Sequence, residues 1–261
     1  MPLMIILTNR LSKILGAIVK TLAYPFHFIF PKKRFTIPKE KKAFFKTQTS
    51  YTIPKIIWQT NYTNNVSLPV YINYLFNRLL TLDWEYRYVS TEDRLEFIKA
   101  HASDQISNAY EQLTDGASQA DLWRLFVLNY YGGVYMDIDA HVVWPLSKIV
   151  KPDDKEVFLM TKHNYSNYFI ASSKSNPHLE KAIKIIVDNI EQKNIGSGVY
   201  DLTGPTVLNR AIGDETVNYR HNRITCIQGS FTNEYFQYID KPRGKWTHTK
   251  KENLLKNKEA N

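Results

Sequence analysis

The 261-residue chain is 43% hydrophobic and 23% charged, which excludes a wholly disordered protein and supplies enough apolar mass for one substantial core. Against 25 Asp and Glu stand 34 Lys and Arg, a net charge of +9 that suits an anionic partner: nucleic acid, a membrane surface or a phosphorylated substrate. The single cysteine, Cys226, excludes an internal disulfide and a zinc site of several thiolates, and it reads as a core residue.

Residues 3–31 are strongly apolar but are broken by Arg10, Lys13 and Lys20, so no uninterrupted run reaches the roughly 18 to 20 residues of a spanning helix. Asn9, Lys13, Gly16 and Lys20 recur at spacings of four, three and four. They form a narrow polar stripe on a helix whose other faces carry Ile6, Leu11, Ile14, Leu15, Ile18 and Leu22. Tyr24-Pro25-Phe26 is expected to end that helix and to set aromatic residues beside Lys32-Lys33-Arg34, a composition suited to an anionic headgroup boundary. The reading is a membrane-associating helix over 1–31; the plainer alternative is a helix packed on the body of the same protein. A signal peptide is disfavoured because no small-residue cleavage site follows.

Residues 32–52 are basic and read as a linker, 53–248 as one globular domain, and 249–261 as a basic polar tail. Within the domain the patterns predict a strand over 53–60, a helix over 69–81 and a strand over 84–89. Helices follow over 91–100, 106–113 and 117–131, then strands over 133–139, 156–161 and 167–172, and a helix over 177–192. Strands alternating with helices predict a single α/β domain with a mixed, mostly parallel sheet, whose sites lie at the carboxyl ends of the strands.

The segments that carry chemistry are Ser118-Gln119-Ala120-Asp121-Leu122-Trp123-Arg124 and Gly132-Gly133-Val134-Tyr135-Met136-Asp137-Ile138-Asp139. Ser118 reads as an N-cap, and Asp121 and Arg124 share one helical face. Gly132-Gly133 supplies a sharp helix exit into a strand. Along that strand Val134, Met136 and Ile138 face a core while Asp137 and Asp139 project together from the other side, roughly 7 Å apart at the backbone. Paired carboxylates without Cys or paired His suit a hard cation, Mn2+ or Mg2+, with open positions for the oxygens of a diphosphate.

These ordered motifs resemble the sugar-binding region of DXD-containing glycosyltransferases, the family-32-like group that includes fungal initiating α-1,6-mannosyltransferases and bacterial capsule and lipopolysaccharide transferases. The likeness runs from Ile53-Pro54-Lys55-Ile56-Ile57-Trp58-Gln59 through Asn167-Tyr168-Phe169-Ile170-Ala171-Ser172 to Thr203-Gly204-Pro205. It implies a GT-A fold, a nucleotide-sugar donor, a divalent metal and transfer with retention. By the same match Asp139 would contact the metal, and Asp137 the ribose and, through water, the metal. Asp121 and Arg124 would hold sugar hydroxyls, and Trp58, with Gln59 beside it, would stack on the base. Gly204 would line the donor site. Where many relatives carry a late histidine and Ser-Trp, this chain has Lys245-Trp246-Thr247-His248, so Lys245 would neutralise phosphate charge and His248 would be a third metal ligand or contact the diphosphate, the plainer alternative being a solvent-exposed histidine in a basic tail. His141, two residues past Asp139, is a further candidate neighbour of the metal.

Two competitors differ in class. A haloacid-dehalogenase-type phosphatase also uses Asp-x-Asp after an apolar strand, but there the motif opens the domain, whereas here it is central and continues into Ala140-His141. A non-enzymatic basic membrane-binding protein would use the aspartates only to solvate a turn, and no nucleic-acid-binding signature is visible. The resemblance favours a hexosyltransferase in surface polysaccharide synthesis, with a UDP-hexose ahead of GDP-mannose as donor and a glycan or lipid-linked glycan as acceptor. The location expected is the cytoplasmic face of a bacterial inner membrane, with a luminal Golgi membrane as the alternative.

Overall fold

Apolar side chains alternate along the central strands and build two cores, one on each side of a single sheet. Ile57, Val134, Met136, Val157 and Leu159 lie in one cluster, while Trp58, Tyr135 and Phe158, their neighbours in sequence, lie in the other. The computed structural model describes residues 2–256. It opens with α1 (Pro2–Ile29), β1 (Phe35–Thr36) and β2 (Glu40–Lys41), followed by β3 (Ile56–Thr60), β4 (Asn65–Val66), α2 (Leu68–Leu79) and β5 (Glu85–Val89). Three helices come next, α3 (Thr91–His101), α4 (Asp104–Gln112) and α5 (Gly116–Tyr131), then β6 (Gly133–Met136), β7 (Ala140–Val142), α6 (Leu146–Ile149), β8 (Glu156–Thr161) and β9 (Asn164–Ser172). The chain continues through α7 (Pro177–Glu191), α8 (Val199–Leu202), α9 (Pro205–Ile212), β10 (Tyr219–His221), β11 (Cys226–Gln228) and α10 (Glu234–Gln237).

The seven-stranded sheet has the order β10-β8-β9-β6-β3-β5-β2. Its pairings run β3, β5, β6, β8 and β10 in one direction and only β2 and β9 in the other, so the sheet is mixed and mostly parallel, as expected. The carboxyl ends of β3 and β6 lie side by side through the registers Ile57–Val134 and Trp58–Tyr135. A separate pair, β7 with β11, stands just beyond β6 and carries the chain past that edge.

Several boundaries differ from the sequence reading. Residues 32–52 are not a bare linker: β1 pairs with β4, and β2 adds an edge strand to β5. The expected polar tail is anchored by Leu254 and Leu255, which are buried, with Leu255 bridged to Leu113; its residues 257–261 lie outside the described residues. The helix over 117–131 begins one residue earlier and is capped by Asp115, whose carboxylate accepts from the amides of Ala117 and Ser118. Ser118, expected at the cap, is instead buried in the first turn.

The largest difference is α1, which runs through Pro25 to Ile29. Its inward stripe is polar or small: Asn9, Ser12, Gly16, Ala23 and His27 are all buried. The amide of Asn9 donates to the Arg223 carbonyl, Lys20 donates to the Gly229 carbonyl, and His27 Nε2 accepts from Leu68 N–H in the first turn of α2. That last bond satisfies a helix-start donor which α2 cannot satisfy itself. The side that reads as hydrophobic faces outward, with Leu11, Ile14, Leu15, Ile18 and Leu22 exposed. Among the described residues no helix is long and apolar enough to cross a membrane.

Candidate active site

The chain must turn from α5 into β6 in a single step, and two glycines allow it. Gly132 has φ +72° and Gly133 φ +115°, and a Cβ on Gly133 would stand 2.6 Å from the Ile56 carbonyl oxygen. With that close approach β6 pairs with β3 and stops at Met136, earlier than the strand expected over 133–139. Asp137-Ile138-Asp139 forms the turn into β7, so both carboxylates stand off the carboxyl edge of the sheet. Val134, Met136 and Ile138 do share one core cluster, as the alternation predicts.

The two carboxylates converge. Gln228 Nε2, at the end of β11, lies 3.0 Å from Asp137 Oδ2 and 2.9 Å from Asp139 Oδ1. One donor thus meets an oxygen of each aspartate, which is the arrangement a single hard cation needs. Burial and the neighbouring Asp137 charge push the Asp139 carboxyl above the ordinary carboxylate range, a mutual repulsion that bound positive charge would relieve. The acidic oxygens fit a divalent ion with positions left for ligand oxygens.

Behind the pair, α5 delivers Asp121 and Arg124 from one face, as their spacing predicts. The guanidinium lies 3.0 Å from Asp121 Oδ1 and 3.2 Å from Asp137 Oδ1, donates to the Asn167 carbonyl at 2.8 Å, and lies over the Tyr135 ring. Asp121 is 5% exposed and also accepts from Asn167 Nδ2 at 2.9 Å and Thr203 Oγ1 at 3.0 Å. Burial pushes its carboxyl up to about 7 against the pull of Arg124 and Thr203. Tyr135 donates its hydroxyl to Asp137 at 2.7 Å, fixing the orientation of that carboxylate.

All four charged residues line a cavity of about 740 Å³, within the range of small-ligand sites. Gly204 and Lys245 line it too, with Thr60 at the end of β3 and Asn61 and Tyr62 just beyond it. Other expected contacts fall elsewhere. Trp58 is 4% exposed, donates to the Gly132 carbonyl and stacks on Tyr131, so it braces the α5–β6 turn and faces a core rather than a base. Gln59 is buried beneath the motif, donating to the Asp137 carbonyl while its own carbonyl accepts from Tyr86. His248 pairs with Glu234 at 2.6 Å, and Lys245 with the same carboxylate at 3.1 Å. Among the described residues no group of three His, Cys, Asp or Glu side chains could hold a metal, and His248 is paired with Glu234 instead of standing with Asp137 and Asp139. His141 is fully buried between Phe76 and Phe231, 3.1 Å from Ser12 Oγ, and belongs to the seam under α1. Cys226 is a buried core residue, as read.

The sequence reading missed Gln228, Tyr135 and Asn167 as site residues, and it missed the aromatic pair at the cavity. Tyr62 and Tyr238 stack there with centroids 6.2 Å apart, and Lys241 lies over Tyr62. Asn167 and Thr203 sat inside motifs that mark the family resemblance, whereas nothing local marks Gln228, 89 residues after Asp139.

Residues 69–157 match the family model of the glycosyltransferase sugar-binding region containing the DXD motif. That match covers about a third of the chain and takes in the Asp121–Arg124 helix and the Asp137–Asp139 turn. Toxin Afp18 of Yersinia ruckeri is 30% identical over 112 residues, 40% of this chain, and the chain spans 5% of that protein's length. The uncharacterized glycosyltransferase L373 of Acanthamoeba polyphaga mimivirus is 23% identical over 191 residues, covering 72% of this chain and 76% of its own. The solved PaToxG glycosyltransferase shares the fold, with a TM-score of 0.52 at 18% identity over 82% of this chain and 80% of its own.

Proposed function

We propose that the protein transfers a hexose from a nucleotide sugar, with retention, in a reaction that depends on Mn2+ or Mg2+ held by Asp137 and Asp139. The observation that carries this reading is the convergence of the two carboxylates on one point at 3.0 and 2.9 Å, inside a cavity of donor size. The cation supplies Lewis-acid stabilisation of the departing diphosphate. Arg124 and Tyr135 hold Asp137 in place from behind, and Gln59 holds its backbone carbonyl. Asp121, fixed by Asn167, Thr203 and Arg124, keeps acceptor capacity for sugar hydroxyls. Tyr62 and Tyr238 offer the aromatic faces on which a base would stack, and Lys241 and Lys245 bring positive charge to the same wall. Gly204, without a side chain, leaves room beside the sugar.

UDP-hexoses come first as donors and GDP-mannose second; the acceptor is a glycan or lipid-linked glycan, and the setting is the cytoplasmic face of a bacterial inner membrane, met through α1. Incubating the protein with UDP- and GDP-sugars, with Mn2+ or with chelator, tests the reading. Mn2+-dependent release of UDP or GDP from one of them is expected, together with its loss in Asp139→Asn at unchanged Tm. Turnover of no nucleotide sugar, with phosphate released from a monoester, would replace it with the phosphatase.

A further inference from the structure

An amphipathic helix packed on a protein body normally hides its apolar side, and α1 does the reverse. Its seam is Asn9, Ser12, Gly16 and His27; a Cβ on Gly16 would stand 2.5 Å from the Ser230 carbonyl oxygen, so the helix backbone lies directly on that loop. Outward stand Leu3 at 78%, Leu22 at 62%, Ile14 at 58% and Phe28 at 87% exposure, an apolar face that nothing among the described residues covers. The charge pattern says what would. No Asp or Glu occurs before Glu40, while Arg10, Lys13, Lys32 and Lys33 are exposed around this face. Apolar side chains flanked by cations, with aromatics at one end, match the boundary of an anionic bilayer, whereas a second copy of the same basic face would bring like charges together.

The segment beneath α1 is also the wall of the donor cavity. Lys20 donates to the Gly229 carbonyl, Gly229 N–H donates to the Asp139 carbonyl at 3.0 Å, and Asn233 Nδ2 donates to Tyr24 at 2.9 Å. Arg34 clasps Asp240 with two bonds of 2.6 Å. Gln228, Gly229, Asn233, Tyr238 and Lys241 face the cavity from the other side of this segment. A second cavity of about 840 Å³ shares Ser166, Tyr200 and Pro205 with the first and is bounded by residues 221–223, on which Asn9 is seated.

We propose that α1 lies flat on an anionic bilayer by its outward apolar face, so that the 221–246 wall rests at the membrane surface and the acceptor is an amphiphile held in that membrane. The acceptor assignment rests on the glycosyl-transfer reading; the docking does not. Flotation of the full chain with phosphatidylcholine vesicles, with and without phosphatidylglycerol, tests the docking. Binding to the anionic vesicles is expected, with a loss of about tenfold or more in the Ile14→Glu, Phe28→Glu double variant, whose Tm and donor hydrolysis stay unchanged. Failure of the full chain to float, or a dimer in sedimentation that the double variant dissolves, overturns it. Orientation is read separately with a fluorophore on Lys241→Cys or, on the far layer, Lys181→Cys, Cys226 being buried. Nitroxide-labelled lipid should quench the first dye and spare the second; equal quenching overturns the placement. Labelled hexose should enter the organic phase when the donor is incubated with vesicles of total bacterial envelope lipid. Label confined to the aqueous phase overturns the acceptor class, whereas release of no nucleotide at all fails the transfer reading and leaves the flotation result standing.

Discussion

Arg124 holds two acids and one carbonyl at once, so its replacements should be costly in different ways. Arg124→Met leaves Asp121 buried without its cation, and a loss of about 3–5 kcal/mol in denaturant unfolding is expected. Arg124→Lys keeps the charge but cannot span Asp121, Asp137 and the Asn167 carbonyl together, so the fold should survive while kcat/KM for donor hydrolysis falls about 100-fold. Trp58→Phe tests the reassignment of that ring: unfolding free energy should drop by about 1–3 kcal/mol through loss of the bond to Gly132, with the donor KM unchanged. A large rise in KM would restore Trp58 to the base site. Asp121 and Arg124 were legible because a spacing of three on a helix fixes a shared face, and the Asp pair from its i, i+2 spacing after Gly-Gly and an apolar run, although a turn and not a strand brings the two carboxylates together. Trp58 was not, since a strand position gives the side of the sheet but not whether that side is ligand or core at its end.

At the scale of elements, α1 was legible as a helix with a polar stripe and misread at its end and in its seating. Pro25 removes one amide bond, which sequence rules take as a stop; here the buried Ala23 and His27 hold the helix beyond it. His27 accepts from Leu68 N–H, so it must be neutral, and burial together with Arg34 lowers its pKa, with Asp240 opposing. A histidine whose pKa is depressed in the folded state contributes stability that is present above its unfolded value, about 6.5, and is lost as pH falls toward the folded value. The Tm difference between the native protein and His27→Ala should therefore be larger at pH 7.5 than at pH 5.5. A difference that grows on acidification would show that the imidazole binds as a cation. The turn between α5 and β6 carries a sharper constraint, because Gly133→Ala meets the Ile56 carbonyl and should unfold the protein by several kcal/mol or misalign the Asp turn.

For the whole molecule, the order of strands and helices made an α/β domain legible, including the carboxyl-edge location of the site. What was not legible is long-range closure: Gln228 against the aspartates, β2 against β5, and Leu255 against Leu113 join parts far apart in sequence with no local signature. Deleting residues 2–34 should consequently do more than release a tether. It strips Lys20, Tyr24 and Arg34 from the cavity wall, and loss of Mn2+ binding by calorimetry together with lower solubility is expected rather than a soluble, active core. The same closure sets an order of events during synthesis. Asn9 and Lys20 are made over 200 residues before their partners Arg223 and Gly229, and Asp139 precedes Gln228 by 89 residues. At ribosomal rates the aspartates wait about 5–20 s for their bridge, and α1 waits longer still with its seam uncovered. α1 is thus made well before the wall it will later support, and the meeting of Gln228 with Asp137 and Asp139 is among the later contacts of the molecule to form.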